Sequence, residues 1–218
     1  MALNKLKFSS INVTPVAGKA LKFNSSANGF ETGSAGGAMT FIKKLTASSS
    51  STLSFVDGSS DVVLDNTYKE YIFLFNNIHP QTDGQKLTFQ GNASGGSGYN
   101  ETITSTFFRA YHEEAGTSAL GYDTGGDQAQ GTSFQEISDA VGSDTDQSCS
   151  GTLHLFNPSS TTFVKHFISR TNTYQTSDYS IDVFSAGYFN TTSAIDEIQF
   201  KMASGNIDSG TITLYGIN

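Results

Sequence analysis

The feature that most constrains the fold is an apolar run near residue 70. Residues 68–78 read YKEYIFLFNNI, and Lys69 and Glu70, both near the start, are the only charged residues in the run. The run is too short to span a membrane, and its aromatic side chains favour a strand over an isolated helix. Polar turn residues close it between 76 and 84. The pattern therefore predicts a strand buried on both faces, in the middle of a β-sandwich.

The rest of residues 40–218 reads as a series of short strands separated by turns. The predicted strands cover residues 40–46, 52–57, 62–64, 68–78, 86–90, 104–111, 151–156, 161–169, 179–189, 194–203 and 210–215. Their spacing is typical of a sandwich. We predict an all-β chain whose main domain, residues 40–218, is a jelly-roll-like β-sandwich of about ten strands.

Residues 1–39 have a different character from the rest of the chain. They show no sustained period of 2 or 3.6, and they end in the glycine-rich stretch GSAGG at 33–37, which is typical of a flexible linker. A disordered tail is one interpretation. The other, which we favour, is an extended N-terminal arm that orders against another subunit. Its apolar contact residues would be Phe8, Ile11, Leu21, Phe23 and Phe30.

Composition excludes two classes of partner. The net charge is −8, and the 12 basic residues are scattered, with Lys43 and Lys44 as the only adjacent pair. Binding to nucleic acid or to an anionic membrane needs clustered positive charge, so we expect neither. The first residues lack the apolar core of a secretory signal, and we expect the protein to be made in a cytoplasm. The lone Cys149 offers no intrachain disulfide, and we interpret it as an unpaired thiol in a loop.

Residues 112–150 form a long irregular segment, interrupted in the prediction by one short helical turn near 134–137. A segment of this length inside a compact domain is usually functional or fixed by a partner. Carboxylate pairs for glycoside cleavage are available from Glu113, Glu114 and Asp123.

Other binding roles for this region stay open. A non-EF-hand calcium site would draw on Asp123, Asp127, Asp144 or Asp146. Tyrosines in polar loops, namely Tyr99, Tyr122 and Tyr174, are candidates for stacking on sugar rings. The sequence contains no phosphate-binding loop, nucleophile elbow or zinc-protease motif. We therefore predict no catalytic, cofactor-binding or metal-binding residue.

Three stretches resemble virion proteins of bacteriophages. Residues 21–31, LKFNSSANGFE, are similar to an arm near the N-terminus of fibre-type phage proteins. Residues 207–217, IDSGTITLYGI, resemble the closing strand of β-sandwich modules in marine phage virions, and residues 41–190 resemble structural proteins of cyanophage and pelagiphage type. These motifs contain no catalytic residues.

The resemblance implies a non-enzymatic structural protein of the virion. Proteins of this class are commonly homotrimers, in tail fibres or as capsid decoration, so the implied partners are further copies of the chain and other virion proteins. The alternatives are an adhesin that binds a host glycan through the 112–150 segment and its neighbours, and, as a third reading, a polysaccharide depolymerase.

Overall fold

A computed structural model describes residues 13, 14, 16, 19–33 and 37–217 of the chain. The chain divides into two compact units, Met1–Ala38 and Met39–Asn218. The described residues contain strands and turns but no helix, so the predicted all-β class is confirmed. The fifteen strands of this part of the chain are β1 (Ala20–Phe23), β2 (Phe30–Gly33), β3 (Met39–Thr46), β4 (Leu53–Val56), β5 (Glu70–Pro80), β6 (Leu87–Ala93), β7 (Ile103–Glu113), β8 (Ser118–Tyr122), β9 (Ala129–Gly131), β10 (Gln135–Glu136), β11 (Cys149–Phe156), β12 (Lys165–Gln175), β13 (Tyr179–Phe189), β14 (Ile195–Met202) and β15 (Ile207–Ile217).

The N-terminal unit contains an antiparallel hairpin of β1 and β2. Phe23 and Phe30 lie opposite each other, with ring centroids 4.9 Å apart, and both rings are exposed. Leu21 on β1 is also exposed. A two-stranded hairpin is marginally stable by itself in water, and this one leaves its apolar side chains uncovered. Two predicted contact residues of the arm, Phe8 and Ile11, lie outside the described residues.

The unit Met39–Asn218 is a sandwich of two antiparallel sheets. The large sheet has the order β3-β15-β5-β11-β12-β13-β7-β8, and β9 pairs with another part of β7. The small sheet has the order β10-β6-β14-β4. The sandwich prediction is confirmed, with more strands than the ten expected, and the jelly-roll connectivity stays a prediction.

Aromatic rings from both sheets fill the core between them. Phe200 on β14 contacts Phe73 and Phe75 on β5, with ring centroids 5.2 and 5.3 Å apart. Phe89 on β6 contacts Phe167 on β12, with centroids 5.0 Å apart. These rings are less than 2% exposed. Most of the pairs meet edge to face, the arrangement that the charge distribution of aromatic rings favours.

Strand β5 is buried on one face only, so the prediction of burial on both faces was wrong. Tyr71, Phe73 and Phe75 point into the core and are at most 1% exposed. Ile72 and Leu74 alternate with them and point the other way, and Leu74 is 40% exposed. The reason is architectural, because the small sheet covers only one face of the large sheet.

The segment 112–150 is fixed to the sandwich, and its predicted helical turn is the short strand β10. The side chain of Gln135, fully buried, donates to the Gly126 carbonyl at 2.8 Å and accepts from the Ser105 hydroxyl at 2.6 Å. Arg109 on β7 forms ion pairs with Asp139 and, at 3.3 Å, with Asp123. These contacts hold residues 123–139 against the large sheet, and a functional role of the segment stays a prediction.

Candidate functional site

The surface with the most unusual chemistry is the outer face of the large sheet, the side turned away from the small sheet. Strand register places one residue from each of six neighbouring strands in a row. That row is Phe41, Tyr215, Ile72, His154, Ile168 and Ala186. Phe41 is 59% exposed and Ile168 is 52% exposed. The solvent face of an antiparallel sheet is normally polar, whereas this row is largely apolar.

A second row runs beside the first, two residues along the strands. It contains Leu74, Thr152, Arg170, Phe184, Phe108 and Tyr122. Phe108 and Phe184 stack with ring centroids 4.8 Å apart, and the guanidinium of Arg170 lies 4.8 Å from the centre of the Phe184 ring. Eight strands at about 4.8 Å give this face a width of about 34 Å.

Two close contacts between ionisable side chains lie on this face. Arg170 donates to both carboxylate oxygens of Asp182, with the shortest contact at 2.7 Å. The imidazole of His154 lies 2.6 Å from the carboxylate of Glu70. The chain as a whole has a net charge of −8, so the paired groups make this a region where two acidic molecules can approach with little repulsion.

The three tyrosines predicted to bind sugar lie in different places. Tyr99 packs against Phe134, with ring centroids 6.5 Å apart, and burial raises the pKa of its hydroxyl. Tyr122 lies on β8, and its hydroxyl donates to Asp127. Tyr174 lies on β12, three strands away from β8, and its hydroxyl donates to Asp178 at 3.2 Å. The three rings therefore do not form one platform.

Tyr174 does line a groove at one end of the large sheet. The groove has a volume of about 370 Å³ and is lined by His112, Glu113, Glu114, Asn172, Thr173, Tyr174, Tyr179 and Ser180. The pKa of Tyr174 is raised, and the negative charge of Glu114 is the largest cause. Desolvation is the largest cause of the raised pKa of Tyr179. The groove thus combines two phenol rings with two carboxylates.

Of the other acidic candidates, Asp123 and Asp127 have side-chain partners. Asp123 pairs with Arg109 and also accepts from the Gly125 amide at 2.9 Å. Asp127 accepts from Tyr122. Asp144 and Asp146 lie in the turn before β11, where the Asp144 carbonyl accepts from the Gln147 amide at 2.9 Å. Within the described ranges, no group of three His, Cys, Asp or Glu side chains is arranged to hold a metal ion.

Cys149 lies at the start of β11 and is 1% exposed, so the prediction of a loop position was wrong. Burial raises the pKa of its thiol to about 12. The thiolate is the reactive form of cysteine, and this thiol is held in the neutral form.

Comparison with family models, with characterised proteins and with solved structures finds no match to the chain. None of the described residues belongs to a helix of the length and apolarity needed to cross a membrane.

Proposed function

We propose that the chain is a non-enzymatic structural protein of a phage virion that works as a homo-oligomer. A homotrimer in a tail fibre or in a capsid decoration is the form that the resemblance of residues 21–31, 41–190 and 207–217 implies. The N-terminal arm anchors the protein to the particle. The observation that carries this proposal is the apolar outer face of the large sheet.

The outer face supports self-association for an energetic reason. Each row crosses six strands, so the two rows together cover a patch on the order of 400 Å². It is mostly apolar and is interrupted by His154, Thr152 and Arg170. Apolar patches of this size on a soluble protein are often functional. Removing such a surface from water is favourable by a free energy on the order of 25 cal/mol per Å² of apolar area. A virion component has many neighbours, and contact with them removes this face from water.

The hairpin of β1 and β2 supports the anchoring role. Leu21, Phe23 and Phe30 expose apolar surface on a two-stranded hairpin. Docking on another protein covers these side chains and stabilises the hairpin. The predicted anchor also includes Phe8 and Ile11.

Two measurements on the full chain test the proposal. Light scattering after size-exclusion chromatography should give about three times the mass of the 23.2 kDa chain. Incorporation of a tagged copy into phage particles should fall at least tenfold for the double variant Phe23→Ser/Phe30→Ser. The matched control is Phe163→Ser, which changes an equally exposed aromatic residue in the main domain. A single-chain mass at all concentrations, or undiminished incorporation of the double variant, would contradict the proposal.

The groove at Tyr174 favours a second candidate function, which is binding of a host-surface glycan. Aromatic rings beside carboxylate and amide groups are suited to stacking on sugar rings and to bonding their hydroxyls. A glycan array should then show binding that Tyr174→Ala removes and that Tyr99→Ala leaves intact, because Tyr99 lies elsewhere. An array without signal would eliminate this candidate and leave the structural proposal in place.

A further inference from the structure

Strand β8 lies at one end of the large sheet, and among the described strands it pairs with β7 alone. Edge strands present backbone amides and carbonyls that can pair with another chain, and proteins usually protect them with charges, proline or a bulge. Strand β8 has the sequence SALGY, and all five of its residues are exposed. It contains no charge and no proline, and its register with β7 is regular. It is therefore an edge with little protection against pairing.

The hydrogen-bond pattern between β7 and β8 shows which backbone groups of β8 point away from the sheet. At one end the Asp123 amide donates to the Phe107 carbonyl at 2.9 Å, and at the other end the Glu113 amide donates to the Thr117 carbonyl at 2.7 Å. Bonded and non-bonded pairs alternate along an antiparallel ladder. Three residues of β8 therefore turn their amides and carbonyls outward, and these are Ser118, Leu120 and Tyr122.

These three residues make the edge complementary to a copy of itself. When two β8 strands run antiparallel with Leu120 opposite Leu120 of the second copy, Ser118 of each strand lies opposite Tyr122 of the other. All three outward residues then bond in pairs, and the joint contains about six backbone hydrogen bonds. A shift by two residues in either direction leaves one outward residue of each strand without an opposite number in β8. The self-complementary register is therefore the one centred on Leu120.

The side chains of the joined strands continue the apolar outer face of the large sheet. Register places Leu120 and Tyr122 on that face, since they align with Ala110 and Phe108 of β7. Leu120 is 72% exposed in the single chain, and pairing places it against Leu120 of the second copy. The Tyr122 ring is then diagonal to the second Leu120 and within reach of it. A two-fold axis perpendicular to the sheet keeps both outer faces on the same side, so the contact joins them into one apolar face.

The acidic groups near β8 contribute little repulsion at this contact. Asp123, the residue that follows β8, forms an ion pair with Arg109 of its own chain at 3.3 Å. Glu113 and Glu114, where β7 ends, line the groove at Tyr174 among residues of β12 and β13, which lie on the side of β7 opposite β8. The repulsion that remains is the long-range one between two chains of net charge −8, and salt screens it.

We propose that β8 pairs antiparallel with β8 of a second copy about a two-fold axis at Leu120, so that two large sheets become one continuous sheet. A two-fold contact joins copies in pairs, and it is therefore distinct from the contact that builds the proposed homotrimer. A strand of five residues covers less than the ~800 Å² per partner of a standard interface. The contact is thus weak, and it forms where an assembly holds many copies close together.

Disulfide trapping in the full chain tests this register. Opposed residues of paired strands have Cβ atoms about 4.5–5.5 Å apart, close enough for a disulfide after small adjustments. Leu120→Cys should cross-link with itself under mild oxidation, and a mixture of Ala119→Cys and Gly121→Cys chains should also cross-link. Ala119→Cys alone should give at least tenfold less dimer than the mixture, because its two copies are offset by two residues along the strands. Native Cys149 is buried and should stay silent.

The control for non-specific trapping is Phe163→Cys, since Phe163 is 69% exposed but lies outside the strands of the large sheet. Its cross-linking, with itself or with Leu120→Cys, should be at least tenfold weaker than that of Leu120→Cys with itself. No enrichment of the Leu120→Cys dimer over this control would overturn the contact. Efficient cross-linking of Ala119→Cys with itself, in place of the mixture, would overturn the register centred on Leu120.

Two substitutions at the axis separate strand pairing from general apolar association. Leu120→Pro removes an amide that points away from the sheet, so it should leave the fold of each chain in place and prevent pairing. Leu120→Lys places two positive charges opposite each other, which is destabilising. In sedimentation equilibrium at high protein concentration, each should weaken the two-fold association at least tenfold, and Phe163→Lys should weaken it less than twofold. Circular dichroism of all three variants should match that of the parent.

The same variants separate this contact from the proposed function. Loss of pairing in the axis variants with the trimer intact supports the two-fold contact and agrees with the homotrimer. Pairing through β8 in a chain that forms no trimer supports the contact and contradicts the homotrimer. Undiminished pairing in both axis variants would overturn the contact and leave the homo-oligomeric function standing.

Discussion

Replacing Phe200 tests whether the two sheets share one core. Its ring contacts four other rings, those of Phe55, Phe73, Phe75 and Phe89, at centroid distances of 5.2 to 6.2 Å. Two of these partners lie on β5 of the large sheet, and the other two lie on strands of the small sheet. Truncating a buried Phe to Ala costs about 3–5 kcal/mol. Because Phe200 forms four ring pairs and such pairs stabilise beyond burial, we expect Phe200→Ala to lie at the upper end of this range, a reduction of about 4–5 kcal/mol in the free energy of unfolding.

The measurement is urea-induced unfolding followed by circular dichroism, since the chain has no Trp. All variants should be compared at one protein concentration, because association makes apparent stability depend on it. Phe200→Leu keeps most of the volume and should cost about 1–2 kcal/mol. Phe163→Ala, at an exposed ring, should stay within about 0.5 kcal/mol of the parent. A loss below about 2 kcal/mol for Phe200→Ala, with an unchanged dependence on urea, would show that this ring does not join the two sheets.

Three further predictions concern buried polar groups. Arg109→Met should reduce the free energy of unfolding by about 3–5 kcal/mol, because it leaves the buried carboxylate of Asp139 without its cation. Amide hydrogen exchange should then become faster in residues 123–139. Unchanged exchange would contradict a role of Arg109 in holding this segment. Lys165 is fully buried and donates to the carbonyls of Phe163 and Thr191 at 3.0 and 3.1 Å. Lys165→Met should therefore reduce the free energy of unfolding, measured by urea titration, by about 1–3 kcal/mol. A gain in stability would refute this role. Because the pKa of the Cys149 thiol is about 12 in the fold and about 8.5 when unfolded, only the unfolded chain loses its proton as pH rises above about 8.5. Stability should then fall by up to about 1.4 kcal/mol per pH unit, a slope that Cys149→Ala should remove.

Most long strands of the main domain could be predicted from the sequence because their signals are local, whereas the predicted strand 62–64 was wrong. Strand β5 begins two residues later than the predicted run and ends two residues later. The predicted run 179–189 coincides with β13. In both cases apolar residues at alternating positions and polar turns on either side decide the outcome over a few residues.

Burial of a particular face could not be predicted in the same way. Ile72 and Leu74 are as apolar as Tyr71 and Phe73, yet only the latter pair faces the small sheet. Whether a second layer covers a strand depends on residues more than a hundred positions away, such as Phe200 on β14. Apolar residues at both the odd and the even positions of a strand therefore indicate either a strand buried on both faces or a strand with one exposed apolar face.

The segment 112–150 shows a second limit of local patterns. Its glycines and aspartates predict irregular structure, and the short strands β8, β9 and β10 were missed. Strand β10 is held by a partner distant in sequence, since the Gln135 side chain accepts from the Ser105 hydroxyl. Strand β8 instead returns along β7 as a hairpin, with Tyr122 opposite Phe108. Composition alone gives no indication of these partners.

The adjacent pair Lys43 and Lys44 shows how sheet order changes the meaning of a sequence feature. In the sequence the pair serves only to show that basic residues are too few for nucleic-acid binding. Among the described strands it lies on β3, the last strand of the large sheet at the end opposite the uncharged strand β8. Lysine on an edge strand prevents indiscriminate pairing.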